Sequence, residues 1–238
     1  KVLVVCGGKY YRWNGTVLQE PTPGAFTSIG SVGYLGNYTV LSQRGGRQFL
    51  WSDPGDPDTL PGLNYAIAGA VDDIILRVMG IGGALWVFKT QSIETWYNTE
   101  QPGAFAFLPV TGGALEYGLR SHRLLCAIPN GAFFVNSRGQ AMVLLGQAQA
   151  VSTPAVETAI KDARPRSVFY YEDRGHGFAC VTFRDCPAWC YDLATGEWHE
   201  RAETVNLSPW TATCAAQMGR TWYLGRDGGS VASMSRSN

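Results

Sequence analysis

One phrase recurs along this chain: an apolar run, a turn centred on Gly or Asn, an aromatic-rich run, and a second polar turn. It reads VLVVCGGKYYRWNG from Val2, VGYLGNYTVLS from Val32, ILRVMGIGGALWVFKT from Ile75, LLCAIPNGAFFVNSRG from Leu124, FACVTFRDCPAWCYD from Phe178 and TCAAQMGRTWYLGRDGG from Thr213. A segment of this size cannot bury its sheet faces alone, so a return at roughly forty-residue intervals requires stacked or radially arranged sheets. The unit is a β-meander. The expected fold is all-β: a β-propeller of about six antiparallel blades, five to seven by the spacing of the phrase.

With 238 residues the chain is long enough for a substantial core and still within the range of one all-β domain. A single propeller domain over residues 1–238 is expected. Lys+Arg and Asp+Glu balance at 19 each, giving zero formal charge, so no domain-wide cationic field holds nucleic acid or an acidic membrane. Any DNA contact must be local. No stretch approaches the roughly twenty apolar residues of a membrane helix. The start at Lys1, running through VLVVC into GGKYYRW, has neither the length nor the small-residue cleavage pattern of a signal peptide. The absent initiator methionine predicts a processed or partial chain.

Turn chemistry supports antiparallel hairpins throughout. Gly7-Gly8, Asn14-Gly15, Gly36-Asn37, Gly45-Gly46, Gly82-Gly83, Asn130-Gly131 and Gly228-Gly229 supply the backbone conformations that tight hairpins need. Proline-bearing loops follow Asp53 and Glu100, as expected of connections at blade edges or between blades. One segment departs from the pattern. Thr153-Pro154 followed by AVETAIKD places an N-cap, a first-turn proline and an early Glu157 as a helix start requires. A short helix near residues 154–163 is predicted, with Val156, Ile160 and Ala163 on one face, docked on a sheet edge or at a contact between subunits.

The six cysteines, Cys6, Cys126, Cys180, Cys186, Cys190 and Cys214, mostly fall in apolar runs, where a reduced thiol acts as a small hydrophobe. Cys186 and Cys190 lack zinc-knuckle spacing and have no second pair at finger distance. No metal or cofactor site is expected. The recurring aromatic residues are expected between neighbouring sheets. A functional alternative is sugar stacking, for which Trp51, followed by Ser52-Asp53, and Trp198, followed by His199-Glu200, are the candidate glycan contacts.

Catalytic patterns are sparse. Asp72, Asp73, Glu94, Glu116 and Asp192 are available for a glycosidase-type carboxylate pair. The acids at Asp72-Asp73 are more simply turn formers, and Glu94 would alternate outward between Ile93 and Thr95. The chain lacks a GxSxG elbow, Ser121-His122 are adjacent rather than arranged as nucleophile and base, and His176 falls in a turn. Gly7-Gly8-Lys9 lacks the spacing of a phosphate loop, which leaves Lys9 as a solvated hairpin residue. Asn14, Asn37 and Asn206 begin formal glycosylation acceptors, which carry weight only in a secreted chain.

The stretch from Val32 through Gly118 resembles the packaged-DNA stabilisation proteins, also called tail accessory or tail hub proteins, of short-tailed double-stranded DNA phages. The resemblance rests on Trp51-Ser52-Asp53, Asp56-Pro57, Ala66 to Ala70, Asp73-Ile74, Leu85 to Phe88, Glu94 to Tyr97 and Pro102 to Phe105. Downstream, Val151-Ser152-Thr153 with Ala155-Val156-Glu157 is similar to that family's helix start. Tyr191-Asp192 with Thr195-Gly196-Glu197-Trp198 is similar to its late strand pair, a hairpin also found in kelch-like propellers. Family members are usually longer at the front, so the resemblance implies either a missing N-terminal portion or a shorter relative.

The resemblance implies a non-enzymatic virion protein, assembled in the host cytoplasm and located in the tail at or below the head–tail junction. Copies, six by analogy, would form a ring that contacts portal and adaptor proteins above and distal tail, spike or needle proteins below. The ring would help retain DNA, line part of the ejection channel and touch the passing DNA transiently and non-specifically. The alternatives are a carbohydrate-binding or glycan-cleaving propeller in receptor recognition, and a cellular kelch-like scaffold.

Overall fold

The computed structural model describes residues 2–22 and 26–234. The chain divides into two compact units, one ending at Leu119 and the other beginning at Arg120.

The first unit holds three sheets, each a meander of antiparallel neighbours. They are β1 (Val2–Cys6), β2 (Lys9–Trp13) and β3 (Leu18–Gln19); β4 (Ile29–Leu35), β5 (Tyr38–Gln43), β6 (Gln48–Trp51) and β7 (Tyr65–Ile67); and β8 (Ile75–Ile81), β9 (Ala84–Lys89), β10 (Ile93–Asn98) and β11 (Phe107–Pro109). Gly36 and Asn37 both have positive φ, 54° and 68°, as a two-residue hairpin turn between right-twisted strands requires.

The second unit repeats the scheme. Its sheets are β12 (Leu125–Ile128), β13 (Gly131–Val135), β14 (Ala141–Leu145) and β15 (Gln147–Ala150); β16 (Pro165–Asp173), β17 (His176–Phe183), β18 (Ala188–Asp192) and β19 (Trp198–Arg201); and β20 (Ala212–Met218), β21 (Thr221–Arg226) and β22 (Val231–Ser233). Helix α1 (Pro154–Asp162) sits between β15 and β16. The Thr153 side chain caps it by accepting from the Val156 N–H, while Val156 and Ile160 bury its apolar face. The predicted helix is therefore present with the predicted cap.

The recurring phrase has a different phase from the one the sequence suggests. The Ile29 N–H donates to the Gly8 carbonyl at 2.7 Å, and the Ile75 N–H donates to that of Gly46 at 2.9 Å. Likewise Arg44 N–H donates to Ser28 O at 3.0 Å, and Thr90 N–H to Ile74 O at 2.9 Å. The β1–β2 turn is thus the counterpart of the β5–β6 turn, so β1 to β3 match the second, third and fourth strands of a four-stranded sheet. The Phe178 run also falls on a second strand, β17, behind β16. Every hairpin of a meander has the same apolar-turn-apolar pattern, so the pattern reveals hairpins without numbering their strands.

Aromatic side chains fill the spaces between sheets. Phe49 meets Trp96 edge-on at 5.0 Å, and Trp51 and Tyr38 meet Phe107 at 5.2 and 5.4 Å. In the second unit Phe133 packs on Tyr191 and Trp198 at 6.4 and 6.1 Å, close to the buried helix residues. Such rings combine large buried area with offset or edge geometries that favour fixed packing.

Cys180 and Cys190 face each other across β17 and β18 and form a disulfide, with Cα atoms 4.1 Å apart. This corrects the reading of these two cysteines as reduced hydrophobes. Directly opposed residues on antiparallel strands come this close, whereas sequence spacing does not disclose which positions are opposed. No other disulfide occurs among the described residues.

Candidate functional site

The two candidate sugar-stacking residues are built into the packing. Trp51 is 0% exposed, and its indole N–H donates to the Gly103 carbonyl at 2.9 Å. It offers no face to a ligand, which corrects its candidacy as a glycan contact. The WSD phrase ends a strand whose two faces are both covered, so neighbouring polar residues do not bring the ring to the surface. Trp198 is half-buried against Phe133 and Tyr191, and its N–H donates to the Val151 carbonyl at 2.7 Å. That bond ties β19 to the segment before α1.

The candidate carboxylates separate into unrelated environments. Asp72 is exposed and pairs with Arg47 at 2.8 Å. Glu116 is exposed on the loop after β11. Asp73 and Glu94 do come together, but around the wholly buried Lys89 ammonium. Its Nζ lies 2.7 Å from Asp73 Oδ1 and 2.6 Å from Glu94 Oε1. Glu94 therefore points inward, contrary to the expected outward alternation. Glu94 shares the buried face of β10 with Trp96 and stands opposite Val87 on the face shared with Lys89, whereas Tyr97 on the other face is exposed.

Every partner in this cluster is used. Lys89 also donates to the carbonyls of Val71 at 2.7 Å and Ala68 at 3.2 Å. Asp73 accepts from the Gln91 and Ser92 N–H groups at 2.6 and 3.0 Å and from the Ser92 hydroxyl at 3.0 Å. Glu94 accepts from the Ala70 N–H at 3.0 Å. Burial alone would push the Asp73 pKa up; the Lys89 hydrogen bond and the Gln91 and Ser92 donors outweigh it and hold it below the usual carboxylate value. A saturated ammonium has no lone pair for nucleophilic work, and neither carboxylate faces a space for substrate. The cluster locks the 68–73 connection onto the β9–β10 hairpin. The sequence signal was a lysine closing the apolar run LWVF.

Asp192 serves a different role. Its Oδ2 lies 2.7 Å from His176 Nδ1, and its Oδ1 accepts from the Ala194 N–H at 2.9 Å. Burial opposes ionisation, but the Ala194 N–H and His176 contacts hold its pKa below the ordinary value. Close by, the Arg201 guanidinium lies 5.0 Å from the Tyr171 ring centre and 4.9 Å from that of Phe178. The Arg201 Nε–H donates to His199 Nε2 at 3.1 Å. Burial, followed by the charge of Arg201, pushes the His199 pKa down. This is a cation–aromatic knot in one sheet, without a serine or cysteine nucleophile in its hydrogen bonds.

Open surfaces are modest. A cleft of about 290 Å³ is lined by Glu172, Asp173, Arg174, Gln217, Arg220 and Trp222. A more apolar one of about 450 Å³ lies beside Leu3, Tyr34, Asn37 and Pro57. Among the described residues, no group of three or more His, Cys, Asp or Glu is placed to hold a metal. No helix among them is long and apolar enough to cross a membrane.

Among the described residues each unit holds three antiparallel meander sheets, the building block of a β-propeller blade. The family model described as "Bacteriophage P22 Gp10, beta-propeller" matches residues 1–233, and the chain belongs to that family. Its class is that of phage structural proteins that stabilise packaged DNA, components of the virion. No curated protein matches. Among solved structures, the extracellular domain of a one-component system from B. thetaiotaomicron is similar at 12% identity and TM-score 0.60, over 98% of this chain and 30% of that one. The extracellular domain of a hybrid two-component system from the same organism is similar at 12% identity and TM-score 0.59, over 100% and 32%. Dihydro-heme d1 dehydrogenase NirN in complex with DHE is similar at 13% identity and TM-score 0.54, over 84% and 42%. The chain spans about a third of the length of the first two, and all three likenesses concern the fold alone.

Proposed function

We propose that this chain is a non-enzymatic hub or nozzle component of a phage tail. It helps retain packaged DNA, forms part of the ejection channel and connects portal and adaptor proteins to distal tail parts. Copies of the chain assemble into a ring, six by family analogy, with residues 1–238 acting as one propeller domain. The observation that carries this reading is the family match along residues 1–233.

The side chains favour a mechanical role. Buried charge is spent on the lock around Lys89, where all three charged groups have their partners inside the fold. Aromatic residues are spent between sheets, including Trp51. A rigid scaffold leaves its loops to contact neighbours. The carbohydrate reading loses the exposed Trp51 face on which it depended.

Sizing chromatography with and without purified portal–adaptor complexes tests the reading. Co-elution in a complex is expected. Failure to associate under conditions where the other tail components assemble would overturn it.

A further inference from the structure

The charges at one end of the β12–β15 sheet form a cationic surface. Segment 120–124 enters β12, the 136–140 turn joins β13 to β14, and segment 151–164 carries α1. The Arg120 N–H donates to Val135 O at 3.0 Å and the Val168 N–H to Arg123 O at 3.0 Å, so these segments share that end of the sheets. Arg120, Arg123, Arg138, Lys161 and Arg164 are all exposed there.

Two of these cations are placed around one glycine. A Cβ at Gly139 would lie 3.3 Å from Arg120 Nη1 and 3.5 Å from Lys161 Cγ, and its φ is +85°. The missing side chain lets Arg120 and Lys161 lie close to the turn that presents Arg138. That turn is fixed from beneath: buried Asn136 Oδ1 accepts from the Arg138 and Gln140 N–H groups at 3.0 and 2.9 Å. Lys161 is fixed by the helix, whose Val156 and Ile160 are in the core. The surface is therefore pre-organised.

Nearby acids offset only part of the charge. Glu157 is shared by Ser152, Gln140 and Lys161 at 3.0, 3.4 and 3.6 Å, and Asp162 is exposed. The side chains of Arg120, Arg123 and Arg164 make no ion pair among the described residues. None of the large exposed apolar side chains lies in these three segments. A protein-docking surface is centred on aromatic or aliphatic anchors, whereas a phosphate-tracking surface needs guanidinium and ammonium groups alone.

We propose that the Arg120–Lys161 pair, extended by Arg123 and Arg164, binds the phosphate backbone of double-stranded DNA without reading its sequence. The proposal deepens the tail-component reading and rests on it for the biological source of the DNA. Each phosphate neutralised contributes a slope of about −0.9 to log K against log salt. Two central contacts would let DNA bind at low salt and be released as salt rises.

Fluorescence anisotropy with a labelled random-sequence duplex, titrated at several salt concentrations with the full chain, tests the site. The Arg120→Ala, Lys161→Ala variant should lose more than about tenfold in affinity at low salt and reduce the slope by about 2. Arg123→Ala with Arg164→Ala should lower the slope independently, which keeps the test valid if the first variant fails to fold. Arg174→Ala with Arg220→Ala, on the separate cleft, should leave both values unchanged.

Absence of salt-dependent DNA binding by the wild-type chain would overturn the proposal, as would cluster variants that bind normally. Tighter binding of polyglutamate than of DNA at equal salt would also overturn it, in favour of an acidic protein partner. These outcomes are separate from association with portal–adaptor complexes, so the DNA site and the tail role can fail independently.

Discussion

Lys89 Nζ stands 2.7 Å from Asp73 Oδ1, with neither side chain reaching solvent. The bond joins the end of β9 to the connection between β7 and β8. Glu94 completes the cluster from β10, on the opposite arm of the β9–β10 hairpin. Lys89→Ala would leave two carboxylates buried without their cation, a loss of about 3–5 kcal/mol. Urea unfolding should show this as a lower midpoint with an unchanged slope; a loss below about 1 kcal/mol would mean that solvent reaches the cluster.

The same cluster gives an acid dependence of defined sign. Asp73 is held below its unfolded pKa, so its proton binds less readily in the folded state. The stabilisation is complete above the unfolded carboxylate value, near 4, and is lost as pH falls through the lower folded value. Unfolding midpoints measured from neutral pH downward should fall in this acidic window. Asp73→Asn should lower stability at neutral pH and flatten that fall; an equally steep fall in the variant would assign the acid sensitivity to other groups.

Trp51→Ala should destabilise the chain by about 3–5 kcal/mol through the cavity and the lost packing of a large buried ring. Trp51→Phe should recover part of that loss while leaving the Gly103 carbonyl without its indole donor. Thermal unfolding of both variants measures the difference. A near-neutral Trp51→Ala accompanied by loss of glycan-array binding would contradict its assignment to the core.

The Cys180–Cys190 bridge closes a short loop with a sequence separation of 10, for which chain entropy gives roughly 3 kcal/mol. Peptide mapping without reductant should recover the two residues in one cross-linked product. Reduction should lower the unfolding midpoint, and a Cys180→Ala, Cys190→Ala chain should show no response to reductant. Recovery of both cysteines as alkylated thiols from untreated protein would contradict the pairing.

Hairpins and helix were legible because their signals are local. Gly36-Asn37 encodes its own turn, and Thr153-Pro154 encodes its own helix start. Strand phase was less so: the Val2 and Phe178 runs have the same alternation as first strands but occupy later positions. Glu94 was misplaced because alternation assigns a charged residue to the wet face, whereas Glu94 lies on the buried face with Trp96, where Lys89 pairs with it. Trp51 and the Cys180–Cys190 pair depend on what stands across the gap or on the next strand, which spacing does not encode. The cation cluster was hidden by zero net charge: Arg120 and Lys161 are far apart in sequence and meet only around Gly139.

Imaging of purified virions at side-chain resolution tests the proposed place of this propeller in the phage tail. The account predicts copies of this chain arranged in a ring at or below the head–tail junction, with the β-meander sheets traceable in the density. Density for the chain at a fibre tip, or virions without the chain, would contradict it.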